Sequence, residues 1–315
     1  MDTDEASAGL KRELRTNQIG MGICAVIGLS SFLMGVITDS VALTLDSSEW
    51  GVGLITGFMY QRIIKTLEKS PDEKYHFGYA KYEPLVVAIE GLLILSSCVV
   101  SISFAIQDLV NPETPGSYLP AVLLTGLTGV VALAMGWYTR RVGRQVQSPV
   151  LTAGGLAWYL DGLLAFGLAA GFGVGMVMAQ TGFSVRAVHN VDPIMALCLA
   201  LLMIVPPARM VRSNMLELLD ANPGAEVERS VKEFVERFRV EFALTDVKRV
   251  RLRKAGRRLF MNVAFISEGA KTIEEMDRIA HQFSARAREA FGSVDATVYF
   301  DTHRTPTAVR RTIDR

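Results

Sequence analysis

The sequence predicts an α-helical membrane protein: six transmembrane helices followed by a small C-terminal α/β domain. Three observations carry the prediction. Half of the 315 residues are hydrophobic and mean hydropathy is +0.28, too apolar for an ordinary soluble chain. The apolar residues gather into six runs, at about 17–37, 40–61, 83–107, 118–139, 149–180 and 191–211. Roughly 20 such residues cross a hydrocarbon core of about 30 Å as a helix. From about Glu217 the chain is instead charged and patterned like a soluble domain.

Residues 1–16 are acidic and then basic (Asp2, Asp4, Glu5, then Lys11, Arg12, Arg15) and form an N-terminal segment. No small-residue cleavage site follows the first run, so a cleaved signal peptide is not expected. Only 38–39 separates the first two runs, which predicts a tight helical hairpin. The loop after the second run carries Arg62, Lys65, Lys69, Lys74 and Lys81. The loop after the fourth carries Arg140, Arg141 and Arg144, and the end of the sixth carries Arg209 and Arg212. The loop 108–117 has Asp108 and Glu113 but no Lys or Arg, and 181–190 has only Arg186. Lys and Arg collect on the cytoplasmic side. The expected protein is therefore multi-pass in the cytoplasmic (inner) membrane, with both termini cytoplasmic and a membrane domain over 17–214.

The soluble domain is expected over 215–303. Residues 224–238 show apolar positions at helical spacing. Strands at 247–253 and 258–266 meet at Lys254-Ala255-Gly256, a hairpin signal. An amphipathic helix at 271–290 and a last strand at 296–300 complete an α-β-β-α-β order, which suits a small sheet with helices on one face. Residues 304–315 lack an apolar pattern and are expected to be disordered. The net charge of +1 excludes a globally electrostatic partner such as nucleic acid. Cys24, Cys98 and Cys198 form no disulfide framework and no CxxC motif; they read as small buried hydrophobes.

Three carboxylates interrupt the apolar runs: Asp46 and Glu49 in the second, Asp161 in the fifth. An ionisable side chain at bilayer depth marks a functional site by default. Asp46 and Glu49 share one helix face at a spacing of three. At about 1.5 Å per residue they lie roughly 9 and 13 Å below the outer end of their helix, and Asp161 lies roughly 20 Å above the inner end of its own. In a core of about 30 Å all three fall at similar depth and form one acidic cluster if the helices touch. Such charges call for bound protons or a divalent cation held by oxygen ligands. The competing reading has each acid snorkelling, capping a kink or bonding a neighbouring helix. Ser40-Val-Ala-Leu-Thr and Ser148-Pro-Val-Leu-Thr echo each other at an offset of 108, which also pairs Trp50 with Trp158. Such echoes can mark related helices around a transport site. Glu90, in the third run, is a further intramembrane acid, for pairing or proton movement.

The Ser40…Glu49 and Ser148…Asp161 stretches, the loop Tyr75-His-Phe-Gly-Tyr-Ala-Lys-Tyr-Glu83, Asp192-Pro193 and Leu218-Leu-Asp220 together resemble the cation diffusion facilitator family. The likeness covers roughly 10–303, and the loop, similar to the family's H-x-F-G-x-x-K-x-E, is its most specific piece. It implies a secondary transporter rather than an enzyme: a homodimeric divalent metal cation/proton antiporter working by alternating access. It also implies six helices per protomer and a cytoplasmic domain of ferredoxin-like, metallochaperone-like fold.

The family's transport site implies four ligands, nine and thirteen residues after each motif Ser. Here those positions are Glu49 and Gly53, then Ala157 and Asp161. Two are vacated. The resemblance implies that Glu49 faces Asp161 and Gly53 faces Ala157, with Asp46 as a third oxygen ligand. Secondary metal positions are Asp72 and His76 in the loop, where Tyr75 and Tyr79 flank the Phe-Gly pair, and Asp301 in the last strand, near His303. His281 reads as a surface residue, Lys81 and Glu83 as a structural pair, and Trp50 and Trp158 as interior packing. The implied substrate is a divalent metal ion, Mn, Fe or Zn, and the lack of imidazole argues against strong Zn preference. Gly53 and Ala157 motivate the alternative, a degenerate non-transporting member acting as a partner or regulatory subunit. A monovalent cation through the reduced site is a third reading.

Overall fold

The apolar runs form long helices: α1 (Thr3–Thr38), α2 (Val41–Leu67), α3 (Tyr82–Val110), α4 (Tyr118–Gln145) and α5 (Pro149–Gln180). The computed structural model describes residues 3–38, 41–67, 69, 71–110, 118–181, 190, 193–194, 197–198, 200–267 and 271–301, with the side chains at 3–7, 34–35, 37–38, 41–46, 48–49, 118–121, 168, 172, 175 and 179–180 outside that set. The chain divides into two compact units, Met1–Met215 and Leu216–Arg315. Among the described residues, four helical stretches are long and apolar enough to cross a membrane: Ala8–Leu33, Tyr82–Val110, Val122–Gln145 and Pro149–Met178. The expected spans at 40–61 and 191–211 fall partly outside the described residues, as does the tail 304–315.

Two details add to the sequence expectation. Helix α1 starts at Thr3 and so includes most of the charged N-terminal segment as well as the first apolar run. Its Ala, Glu, Lys, Leu and Arg are good helix formers. Glu13, only 1% exposed, accepts a hydrogen bond from the Ser148 hydroxyl at the start of α5. The sixth apolar run is also interrupted. Its described residues up to Met203 are helical, Ile204 is a turn, and α6 (Val205–Leu218) begins there. Pro206 and Pro207 have no N–H to donate backwards, and the first turn of a new helix is where that is tolerated.

Small residues let the helices of the first unit approach closely. A Cβ on Gly136 would lie 3.1 Å from the Gly155 carbonyl oxygen, and one on Gly155 would lie 2.3 Å from Arg140 Cγ. α4 and α5 therefore pack nearly backbone to backbone, as small residues permit between membrane helices. The sharp link between them is made by Gln147 at φ 52° and by Ser148, whose side chain caps α5 by accepting from the Leu151 N–H at 3.2 Å. Pro149 follows at the first helical position, where its fixed φ suits a helix start. α1 is tied to α2 by the Asn17 amide, which donates to the Gly57 carbonyl at 2.8 Å. A Cβ on Gly91 of α3 would meet Val211 Cγ2 of α6 at 2.7 Å.

The second unit contains α7 (Ala225–Glu241), β1 (Asp246–Ala255), β2 (Arg258–Ile266), α8 (Ile273–Phe291) and β3 (Val294–Asp301). The sheet order is β1-β2-β3, with β1 antiparallel and β3 parallel to β2. A parallel neighbour requires a crossover, which α8 supplies. A reciprocal Thr272–Glu275 capping box starts α8. Met261, Val263 and Phe265 of β2 bury against Val231, Val235 and Phe238 of α7 and Ile279, Phe283 and Ala287 of α8. Phe283 sits at the centre, with its ring edge-on to Phe238 at 4.9 Å and to Phe265 at 5.8 Å. Phe283→Ala should destabilise this unit by about 3–5 kcal/mol. Hydrogen exchange at the β2 amides should read this as a matching loss of protection, with the amides of α4 and α5 unchanged.

Candidate cation site

Two ring systems join the helices that carry the acids. Trp50 of α2 and Trp158 of α5 stand with ring centroids 5.7 Å apart at 49°. Trp50 is 7% exposed. On its other side a Cβ on Gly28 of α1 would lie 3.0 Å from its Cβ. Trp158 also borders Gly20 of α1, whose Cβ would lie 3.7 Å from the indole nitrogen. α1, α2 and α5 therefore converge around this aromatic pair. Trp50 directly follows Glu49, and Trp158 lies one helical turn before Asp161.

The backbones of Asp46 and Glu49 lie in α2, while their side chains are outside the described set. Asp161 is exposed on the chain surface. It acts electrostatically on Cys24 of α1 and on Glu90 of α3. Among the described residues, no three His, Cys, Asp or Glu side chains gather closely enough to hold a metal ion.

Gly53 of α2 packs against α1. Among the described residues the atoms within 4 Å of a Cβ placed there are those of Cys24, with Sγ at 3.1 Å. A buried thiol from α1, 6% exposed, fills the space that a side chain at 53 would take. Sequence reasoning treated Cys24 as a generic core residue. No local pattern signals the pairing, because it arises only when α1 packs on α2.

The three secondary positions are occupied by protein contacts. Asp72 accepts from the Tyr79 hydroxyl at 2.5 Å, from the Tyr75 N–H at 2.8 Å and from the Lys74 N–H at 3.0 Å. Tyr75, Tyr79 and Tyr82 pack together, with Tyr75 and Tyr79 centroids 4.8 Å apart. Tyrosines at the positions flanking the Phe-Gly pair thus build an aromatic loop around Asp72. His76 Nε2 lies 2.9 Å from the Glu73 carbonyl. Asp301 pairs with Lys248 of β1. His281 is exposed near Asp277 on α8, a surface position. Glu83 is 1% exposed at the start of α3.

The comparisons with known proteins agree with this architecture. Four long apolar helices among the described residues, followed by a small α/β unit, define a multi-pass membrane protein. Residues 18–219 match the cation efflux transmembrane domain, and the chain belongs to that family, the cation diffusion facilitators. It is a family of metal transporters rather than enzymes. A probable cation efflux system protein of Mycobacterium tuberculosis is 25% identical over 284 residues, 89% of this chain and 80% of that protein. The cation-efflux pump FieF of Klebsiella pneumoniae is 23% identical over 264 residues, 84% of each chain. The magnetosome protein MamB of Magnetospirillum gryphiswaldense is 27% identical over 176 residues, 55% of this chain and 58% of that one. A solved structure described as the zinc form of a putative zinc transporter, CzrB, covers 27% of this chain and 92% of its own at 24% identity, with a TM-score of 0.25.

Two outcomes follow from this geometry. Gly53→Ala sets a helix-propensity gain of up to about 1 kcal/mol against a methyl group placed 3.1 Å from Cys24 Sγ. Gly53→Ala should therefore raise the thermal midpoint in detergent more in a Cys24→Ala background than in the wild type. In the loop, the Tyr79 hydrogen bond, then the Tyr75 N–H, holds the Asp72 carboxyl below its ordinary value, and the same bond pushes Tyr79 up to about 12. The stabilisation from Asp72 is fully present above the ordinary aspartate value of about 3.9 and is lost as pH falls through the lower folded value. Carboxyl NMR should find Asp72 titrating below about 3.9 and shifted upward in Tyr79→Phe.

Proposed function

We propose that the protein exports a divalent metal cation across the cytoplasmic membrane in exchange for protons, by alternating access. Glu49 and Asp161 bind cation and protons in turn, and Asp46, one helical turn from Glu49, adds an oxygen ligand. The single observation carrying this reading is the Trp50–Trp158 contact, because it joins the two helices at the level of these acids. Membership of the cation efflux family supports the cargo, and the names of the mycobacterial and Klebsiella relatives support the outward direction.

The reduced site narrows the cargo. With Gly53 and Ala157 in place of ligands, the site offers carboxylate oxygens, which suit hard to borderline cations. Mn²⁺ and Fe²⁺ fit such ligands, and Zn²⁺ remains in range. Two copies of the chain form the working unit, with both termini on the cytoplasmic side where Lys and Arg collect. The second unit lies in the cytoplasm and serves dimerisation; Asp301 is already held by Lys248, and Asp72 by its own loop.

Purified protein in proteoliposomes with a trapped pH dye tests the proposal. A gradient of Mn²⁺, Fe²⁺ or Zn²⁺ should drive proton movement, and Asp161→Ala should lower the rate at least tenfold, about 1.4 kcal/mol or more. Absence of flux for all three ions and for Co²⁺, with no binding heat, rejects the transporter and favours a non-transporting regulatory partner. Flux driven by a monovalent cation alone rejects the divalent cargo.

A further inference from the structure

Glu90 of α3 has no role in the account so far, yet its surroundings demand one. It is 5% exposed, and its Oε2 has no hydrogen-bond partner among the described residues. Tyr60 of α2 is also 5% exposed, and its hydroxyl likewise has no such partner. Both border Gly154 of α5. A Cβ there would lie 3.2 Å from Tyr60 Cε2 and 3.8 Å from Glu90 Oε1. Three helices thus bring a carboxyl and a phenol to one position where the third supplies no side chain. Each of the two residues at this gap thus carries a buried polar atom with no partner among the described residues, whereas about 90% or more of buried polar groups find one.

The charges around Glu90 make its need specific. Among the described residues the charged group that acts on it is Asp161, another acid. α2 presents Tyr60. α6 meets the neighbouring Gly91 with Pro207, Met210 and Val211, none of which ionises. The Glu49 side chain lies outside the described set. A buried carboxylate with no cationic side chain acting on it among the described residues must take its positive partner from elsewhere. Gly154 lies about 10 Å from Asp161 along α5, toward the Pro149 end, at roughly 1.5 Å per residue.

We infer that Glu90 and Tyr60 form a second cation station on the transport path, beside Asp161 toward the Pro149 end of α5, filled by an ion of the exchange. The inference rests on the exchange reading of Glu49 and Asp161. The ion is a positive species bound by one carboxylate oxygen and the phenolic oxygen, either a proton or the divalent cation itself. In the proton case an O–H bond of a hydronium ion breaks, leaving water, as an O–H bond forms on Glu90 when the cargo leaves. The Glu90 O–H bond breaks when the cargo arrives, and a water molecule takes the proton as hydronium.

The test compares wild type, Glu90→Gln and Tyr60→Phe in detergent and in proteoliposomes, with Mn²⁺ and Zn²⁺ as probes. Tyr60→Phe removes a single hydroxyl and guards against a folding defect in Glu90→Gln. Glu90→Gln should slow metal-driven proton flux at least tenfold, and Tyr60→Phe at least threefold. Binding at the Asp161 site should stay within threefold of wild type. If the station takes a proton, the metal bound per chain is unchanged and the protons released per metal fall by about one in Glu90→Gln. If it takes the cargo, the metal bound per chain falls by one. Wild-type flux together with unchanged flux, metal count and proton release in both variants overturns the assignment of Glu90 alone. No metal-driven flux in the wild type overturns the exchange reading and this station with it.

Discussion

Charge placed among apolar helices has to be neutralised, and that constraint organises the membrane unit. Moving a carboxylate into a low-dielectric interior carries an effective penalty of several kcal/mol even after relaxation. Glu13 meets it with a hydrogen bond to Ser148 at the α4–α5 link. Asp161 is exposed on the surface of the chain. Glu90 is enclosed, with an acid as the charged group acting on it. Each solution depends on where α5 sits, because Ser148, Gly154 and Asp161 all belong to it or cap it.

Close helix approach makes those positions possible. Glycines let α5 lie almost in contact with the backbone of α4, and Trp158 then reaches Trp50 on α2. A side chain added to Gly155 or Gly136 would push α5 away and open the aromatic contact. The packing is therefore part of the site, since it sets the spacing of the helices that carry Glu49 and Asp161. The Cys24–Gly53 contact does the same on the α1 side. There the Cys24 thiol fills the space that a side chain at position 53 would take.

Much of this was legible wherever local physics decides. The apolar runs at 83–107, 118–139 and 149–180 are long enough to need no tertiary context, and they became α3, α4 and α5. The apolar run 259–266, broken only by Asn262, follows the Lys254-Ala255-Gly256 hairpin signal and became β2. Less legible were features that depend on packing between distant segments. The burial of Glu13 follows from Ser148, 135 residues away. The filling of Gly53 follows from α1, and the aromatic cage of Asp72 follows from three tyrosines that hydropathy treats as ordinary loop residues. The break at Ile204 was readable from Pro206-Pro207 but was hidden inside an apolar run. Depth placed Glu49 and Asp161 at one level and the family resemblance implied that they face each other; the structure adds the Trp50–Trp158 contact between their helices.

The central claim is that Glu49 and Asp161 act as one site. A calorimetric double-mutant cycle on Mn²⁺ and Zn²⁺ binding tests it most directly, using Glu49→Gln, Asp161→Asn and the pair together. Residues that share a ligand are strongly non-additive, with coupling of about 0.5–3 kcal/mol. Each single change should weaken binding at least tenfold, and the double change should weaken it little further. Additive losses, or full binding in either single variant, would contradict a shared site.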